Sequence, residues 1–250
     1  MKTMTDTKRL FLTLLLMMGC ASLWAQQYEE LWMAGSAVPG GTQQLQRMAD
    51  GSFKYAGTLQ EGELRIQTQR KAGSSTIYLA PQMPDALITN KGLQYQPTTD
   101  AQAAVWQVPF AEHRYRFTVD TRRQVLQGDL VQPWGELFIA GGATQVGWKS
   151  EGKMLLMEQD AVNPFVWTWE GELKAHPEVE EPRSFKFQGQ DRWHPKSLHP
   201  YRSDCDILTD RQLRTGGDDT KWTITQEGIY RITVDLLHET VEAKIINKQK

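Results

Sequence analysis

Short runs of alternating apolar and polar residues, broken by Gly, Pro and Asp, recur along this chain from about residue 30 to its end. Alternation at period two marks half-buried strands, because successive strand side chains point to opposite faces. In the second half the pattern predicts strands over 136–140, 165–169, 184–188, 222–225, 229–235 and 240–245, with Gly171 just past the second. Within 184–188, Phe185 and Phe187 fall on one face and Lys186 on the other. No stretch longer than a turn or two carries the 3.6-residue spacing of an amphipathic helix.

The first half follows the same order. Leu31-Trp32-Met33-Ala34-Gly35 returns as Leu137-Phe138-Ile139-Ala140-Gly141, and Tyr115-Arg116-Phe117-Thr118-Val119-Asp120 as Tyr230-Arg231-Ile232-Thr233-Val234-Asp235. Phe53-Lys54-Tyr55-Ala56-Gly57 answers Trp167-Thr168-Trp169-Glu170-Gly171, Leu64-Arg65-Ile66 answers Phe185-Lys186-Phe187, and Trp106 answers Trp222. A unit of roughly a hundred residues is a tandem domain, since solenoid repeats run at about 20–50 residues. Gly128, Pro133 and Gly135 interrupt the pattern between the copies, which predicts a first module over 26–130 and a second over 136–250 joined by a short linker. Many short strands with Gly and Pro turns give the expected class: all-β, two tandem immunoglobulin-like antiparallel β-sandwich modules. The Cys–Trp–Cys core of antibody domains is absent, so the expectation concerns architecture alone.

The first residues read differently. Lys2, Lys8 and Arg9 precede an apolar run from Leu10 to Met18, followed by small residues and Ala25-Gln26. This is the plan of a secretory signal peptide over 1–25, and the run is too short to span a membrane. Cleavage after Ala25 is favoured; the competing route is a lipobox at Leu16-Met17-Met18-Gly19-Cys20, with Cys20 lipidated. Removing this segment takes the net charge from −2 to −4, which gives no electrostatic reason to bind nucleic acid. After cleavage only Cys205 remains, so no disulfide framework is expected.

Candidate chemistry lies in what the second copy has and the first lacks. Trp148 follows Gly147, where the first copy reads Pro39-Gly40-Gly41. Trp193 stands in Asp191-Arg192-Trp193-His194-Pro195, whose counterpart, 68–75, has no aromatic residue. Tyr201 and Arg202 lie further along the same Pro-rich stretch. Loops on a rigid sandwich are where binding residues concentrate, although a Trp there can also simply cap the core. By contrast Trp167, Trp169, Trp222 and Tyr230 have aromatic counterparts and read as core or sheet-face residues. An exposed indole stacks on the C–H face of a pyranose, while Lys186, Arg192 and Arg202 supply hydrogen-bond donors. Two indole faces of ~100 Å² each would contribute about 5 kcal/mol, against an association cost of at least ~4 kcal/mol, so the expected Kd is weak, about 0.1–1 mM.

The second half resembles the repeated modules of SusE/SusF-type proteins, the starch-binding outer-membrane lipoproteins of Gram-negative starch-utilisation systems. The resemblance rests on four stretches: Leu137-Phe138-Ile139-Ala140-Gly141 with the later Gly147-Trp148, Phe185-Lys186-Phe187 with Trp193-His194-Pro195, Gly216-Gly217-Asp218-Asp219-Thr220-Lys221-Trp222, and Gly228 to Asp235. It implies β-sandwich modules that bind malto-oligosaccharides without cleaving them, at the outer membrane, in partnership with a transporter complex. Carried over residue by residue, it implies an aromatic arc of Trp148 and Trp193 with Lys186 as the basic partner, followed by Arg202. The chain departs from the pattern in its poor lipobox and two copies only, in the missing arc aromatics of the first copy, and in His194 and the long loop to Arg214.

Enzymatic alternatives are weaker. Glycosidases flank the scissile bond with two separated carboxyl groups. Asp218-Asp219 and Asp204/Asp206 supply acids, but Gly216-Gly217-Asp218-Asp219 reads as a turn before a strand, and adjacent residues are a poor way to flank one bond. His194, His199, Asp204, Cys205 and Asp206 match no zinc spacing, and no glycine pair carries the Lys-Ser/Thr ending of a phosphate loop, so neither metal nor cofactor is expected. Cys205 reads as a small, partly buried hydrophobe. The expected function is non-catalytic carbohydrate binding at the outer membrane. The rival from another class is a structural or protein-interaction subunit of an envelope assembly, in which Trp148 and Trp193 touch protein; two exposed, roughly parallel indole faces at about pyranose spacing favour sugar, and a flat apolar patch above ~400 Å² favours protein.

Overall fold

The computed structural model describes residues 28–48, 50–149 and 152–246. The leader read at 1–25, with Cys20, lies outside them. Every regular element among the described residues is a strand, and none is a helix. The chain divides into two compact units between Val131 and Gln132.

The first unit holds β1 (Trp32–Ala34), β2 (Thr42–Gln44), β3 (Gln46–Arg47), β4 (Phe53–Leu59) and β5 (Gly62–Gln67). It continues with β6 (Tyr78–Pro81), β7 (Leu93–Thr98), β8 (Trp106–Val108), β9 (His113–Asp120) and β10 (Val125–Leu130). They form one continuous sheet in the order β2-β1-β5-β6-β7-β10-β9-β4-β3, with β8 added to β5. Strand β7 turns the corner: Leu93 and Gln94 pair with β10, and Tyr95 to Thr98 pair with β6. The sheet thereby folds over itself, so that Met33, Leu64 and Ile66 share one core with Phe53, Phe117 and Val119.

The second unit holds β11 (Phe138–Ala140), β12 (Leu155–Leu156), β13 (Glu158–Gln159), β14 (Val166–Leu173) and β15 (Ser184–Gln188). After these come β16 (Ser197–His199), β17 (Cys205–Asp206), β18 (Arg214–Thr215), β19 (Trp222–Thr223), β20 (Gly228–Asp235) and β21 (Thr240–Ile245). One sheet runs β12-β11-β15-β16-β18, with β19 and β17 continuing from the other half of β15; the second runs β13-β14-β20-β21. Here the counterpart of β7, strand β18, is two residues long. Nearby Gln212 bridges to Thr240 of the second sheet, an isolated contact that does not merge the two sheets. Pairing is antiparallel throughout the described residues except at β17 with β19 and at the equivalent bridge of Leu87 and Gln107.

The repeated residues have identifiable work in both units. Gly35 and Gly141 have φ of +121° and +153°, and a Cβ on either would meet the neighbouring strand at 2.4 and 2.3 Å. Only glycine permits that approach. The Tyr115 hydroxyl donates to the Phe110 carbonyl at 2.8 Å, and the Tyr230 hydroxyl to the Gln226 carbonyl. This is the tyrosine corner of β-sandwich domains, which ties the start of a strand to the turn before it. Trp106 and Trp222 are fully buried. Gly57 and Gly171 are opposite Tyr115 and Tyr230 in register.

Gly171 does not end its strand, as its expected position past 165–169 implies: β14 runs through it to Leu173. The Trp169 ring lies on Gly171, within 2.3 Å of where a Cβ would stand, and the Tyr55 ring covers Gly57 in the same way. An aromatic two residues earlier on the same face fills the space a glycine leaves in a strand, which keeps the strand continuous.

Candidate functional site

In β15 the alternation separates two chemistries. Phe185 and Phe187 are buried on the inner face against Trp222, with ring centroids 6.4 and 5.1 Å from it. Ser184, Lys186 and Gln188 point to the other face. The register continues that outer face across the sheet: Phe138 is opposite Gln188, Ala140 opposite Lys186, Ser197 opposite Gln188, and Arg214 opposite His199. Lys186, Gln188, Ser197 and His199 are all buried although they lie on the outer face. Loops cover them.

One cover is the 189–196 loop, which Gln190 organises. Its amide donates to the carbonyls of Arg192 (3.0 Å) and Lys196 (3.3 Å), and its oxygen accepts from Lys196 N. The loop places Trp193 on Phe138, Ala140 and Met154, where it is part-buried. A second is the Gly141–Gly147 loop, closed by the Gly141–Gly147 bridge, which delivers Trp148. The Trp148 indole N–H donates to the Glu180 carbonyl at 2.6 Å. The two indoles lie in contact range, with centroids 6.1 Å apart and planes inclined at 47°. They form one bent aromatic surface, in place of two parallel faces.

Each ring carries an ammonium group. Lys186 Nζ lies 4.7 Å from the Trp193 centroid and Lys221 Nζ 5.5 Å from that of Trp148, both within cation–π range. Asp219 lies between them. Its Oδ1 accepts from Lys186 Nζ at 2.6 Å, and its Oδ2 lies 3.3 Å from Lys221 Nζ, which also reaches Glu181 at 3.2 Å. Burial pushes the Asp219 carboxyl up, but the hydrogen bond and charge of Lys186, with the charge of Lys221, outweigh it and hold the group below its ordinary value. Burial likewise opposes the charge on Lys221, and Glu181 and Asp219 raise it nonetheless.

His199 completes the floor. Its Nδ1 lies 2.9 Å from the Thr220 carbonyl, which only accepts, so Nδ1 carries the proton. Burial holds the imidazole below its ordinary pKa, against the Thr220 bond that favours the charged form. Among the described residues, the buried Gln188 Nε2 and Arg214 Nε have no hydrogen-bond partner.

The remaining candidates fall further out. Tyr201 is exposed, with the Arg214 guanidinium 5.8 Å from its ring centroid, so it joins the far end of this face. Arg202 is 82% exposed and pairs with Asp210 at 3.9 Å, away from the contacts that join the two indoles to Lys186 and Lys221. Arg192 is exposed as well. Cys205 is buried, donates its thiol to the Arg202 carbonyl at 3.1 Å, and has a pKa raised by burial and by Asp210. No group of His, Cys, Asp and Glu among the described residues could hold a metal ion.

Sequence reasoning passes over Asp219, Lys221, Glu181 and His199 as members of this cluster. The motif 216–222 is legible as a turn, but nothing in its spacing says that Asp219 and Lys221 reach back across the sheet to Lys186 and Trp148.

An all-β unit with a part-buried aromatic pair under two ammonium groups is the class of protein that fold and site define. No protein-family model matches the chain, and no curated protein matches it. Among solved structures, SusF from Bacteroides thetaiotaomicron aligns at TM-score 0.40 and 11% identity. The alignment covers 91% of this chain and 50% of SusF, so the chain spans about half of that protein's length. A likeness at that level defines neither a fold nor a function.

Proposed function

We propose that the protein is a non-catalytic carbohydrate-binding protein whose second unit takes a neutral oligosaccharide on the Trp148–Trp193 pair. The observation that carries this reading is the pair itself: two indoles in contact range, inclined at 47° and both part-exposed, with Trp193 resting on Phe138, Ala140 and Met154. Core aromatics have no need of such an arrangement, and the true core residues Trp106 and Trp222 are fully buried.

The inclination suits a bent chain of sugars, each ring meeting one indole, which favours an α-linked glucan of the malto-oligosaccharide type over a flat one. Charge favours a neutral ligand. Lys186 and Lys221 are matched by Asp219 and Glu181, which leaves no surplus of positive charge for an anionic sugar. Because each ring is part-buried, about half of a ~100 Å² face is left to cover, or roughly 2–3 kcal/mol for the pair. Polar contacts must supply the remainder, and the affinity belongs near the weak end, about 1 mM. Capture of the glycan at the outer membrane, after export and alongside a transporter, completes the proposal; the first unit spaces and orients the second.

Calorimetric titration of the chain from Gln26 onward with maltoheptaose tests the reading. Heat in the sub-millimolar to millimolar range that Trp148→Ala or Trp193→Ala abolishes supports it. Binding that persists in both variants, or no binding to any oligosaccharide in a glycan panel, rejects it.

A further inference from the structure

Two lysines of like charge stand over two touching indoles, and one of them, Lys186, is 5% exposed. Like charges so placed repel, and a buried ammonium without a counter-charge is unstable. One carboxylate answers both problems, with one oxygen on each lysine. We propose that Asp219 is the positioning residue of the aromatic site: its carboxylate clamps Lys186 over Trp193 and Lys221 over Trp148, and so fixes the angle the two rings present.

The clamp joins segments that are otherwise separate. Trp148 comes from the loop after β11, Trp193 from the β15–β16 loop, and Asp219 with Lys221 from the turn before β19. The Lys186 backbone is held in β15, while its ammonium is held by Asp219. The two arms are unequal. Lys221 keeps Glu181 at 3.2 Å when Asp219 loses its charge, whereas the hydrogen-bond and ion-pair partner of Lys186 is Asp219 alone among the described residues. Removing the charge therefore displaces Lys186 from Trp193 more than Lys221 from Trp148. Adjacent Asp218 does not share the role: it is 95% exposed and faces Arg214 at 3.9 Å. The clamp also means that one of the three Lys186 donors is already engaged by Asp219.

Around Asp219 the charged and titratable groups are Lys186, Lys221, Glu181 and His199, whose Nδ1 lies 3.8 Å from Oδ1, with Arg214 and Asp218 beyond. Acidification through the carboxyl's depressed pKa opens the clamp in a manner that core packing does not reproduce.

The test needs no ligand in its first arm. Indole N–H signals in proton–nitrogen NMR are assigned for Trp148 and Trp193 with the Trp148→Phe and Trp193→Phe variants. Asp219→Asn is expected to move the Trp193 signal strongly and the Trp148 signal less, leaving Trp106 and Trp222 in place. Asp219→Glu brings both part of the way back, and Asp218→Asn moves neither. Unchanged signals in Asp219→Asn, or equal movement in Asp218→Asn, overturn the clamp. Should Asp219→Asn also move Trp222, acid titration of the unaltered protein decides: the Trp193 signal must shift below the ordinary carboxylate range while Trp222 holds, and a flat Trp193 trace overturns the proposal.

The second arm rests on the glycan reading. Asp219→Asn is expected to weaken maltoheptaose binding at least tenfold, and to have no further effect when Lys186→Met is already present. Indole shifts as described in a protein that binds no maltoheptaose keep the clamp and reject the malto-oligosaccharide reading. Binding equal to the unaltered protein's in Asp219→Asn rejects the clamp.

Discussion

The first unit puts Arg65 where the second puts Lys186: opposite Ala34 in one and Ala140 in the other, on equivalent strands. Their partners differ. Arg65 donates to the Ala101 and Ala103 carbonyls and lies over the Tyr78 ring, a strand residue that is 7% exposed. Lys186 meets a side-chain carboxylate and a loop indole. One slot is closed by backbone and the other by side chains that a ligand could rearrange. A cation in the same register therefore meets backbone carbonyls in the first unit and a carboxylate with a loop indole in the second. What decides is the loop that comes to meet it.

Perturbing the shared core is expected to have the largest effect. Trp106→Ala and Trp222→Ala should each destabilise their own unit by about 3–5 kcal/mol, measured by denaturant unfolding followed with unit-specific probes. A small loss at Trp222 alone would mean that the two units are not built on equivalent cores. Next comes the site itself. Trp193→Ala should reduce glycan affinity at least tenfold, yet cost the second unit less stability than Trp222→Ala, because the ring lies on the outer face. If stability falls equally in the two variants, Trp193 is a core residue. Smaller again is the tyrosine corner: Tyr115→Phe and Tyr230→Phe should each cost about 1 kcal/mol, and near-equal values would show the two corners to be equivalent.

The smallest expected effect is a difference in pH response. His199 stands where the first unit has Ala80, each two strands from the Ala34 or Ala140 position. Its folded pKa is depressed, so its stabilising contribution is present above the ordinary 6.5 and is lost as pH falls through the folded value. The thermal stability of the second unit should fall as pH drops below the ordinary 6.5, and His199→Gln should flatten that slope. A slope unchanged in the variant would place its origin elsewhere. The Asp219 contribution has the same sign at lower pH: it is present above the ordinary 3.8 and lost below it.

Much of the fold is legible in the sequence because the positions that repeat are those where backbone geometry leaves no choice. Gly35 and Gly141 face a neighbouring backbone, and Tyr115 and Tyr230 each close a turn. Strands 184–188 and 240–245 follow from alternation alone. Gly171 misleads because a glycine reads as a break, whereas the ring that covers it comes from Trp169 two residues back. The site is legible only in part. Trp148 and Trp193 stand out by having no counterpart, and Lys186 by facing away from Phe185 and Phe187. Arg202, chosen for its charge and nearness in sequence, turns to Asp210. Asp219 and Lys221 escape because their contacts depend on where a turn folds in space, which period-two alternation does not encode.

The most direct test of the central claim is the calorimetric titration of the chain from Gln26 onward with maltoheptaose, run beside Trp193→Ala. The account predicts a weak association, Kd about 1 mM, lost in the variant while the second unit stays folded. Binding of undiminished strength in a folded Trp193→Ala protein would contradict it.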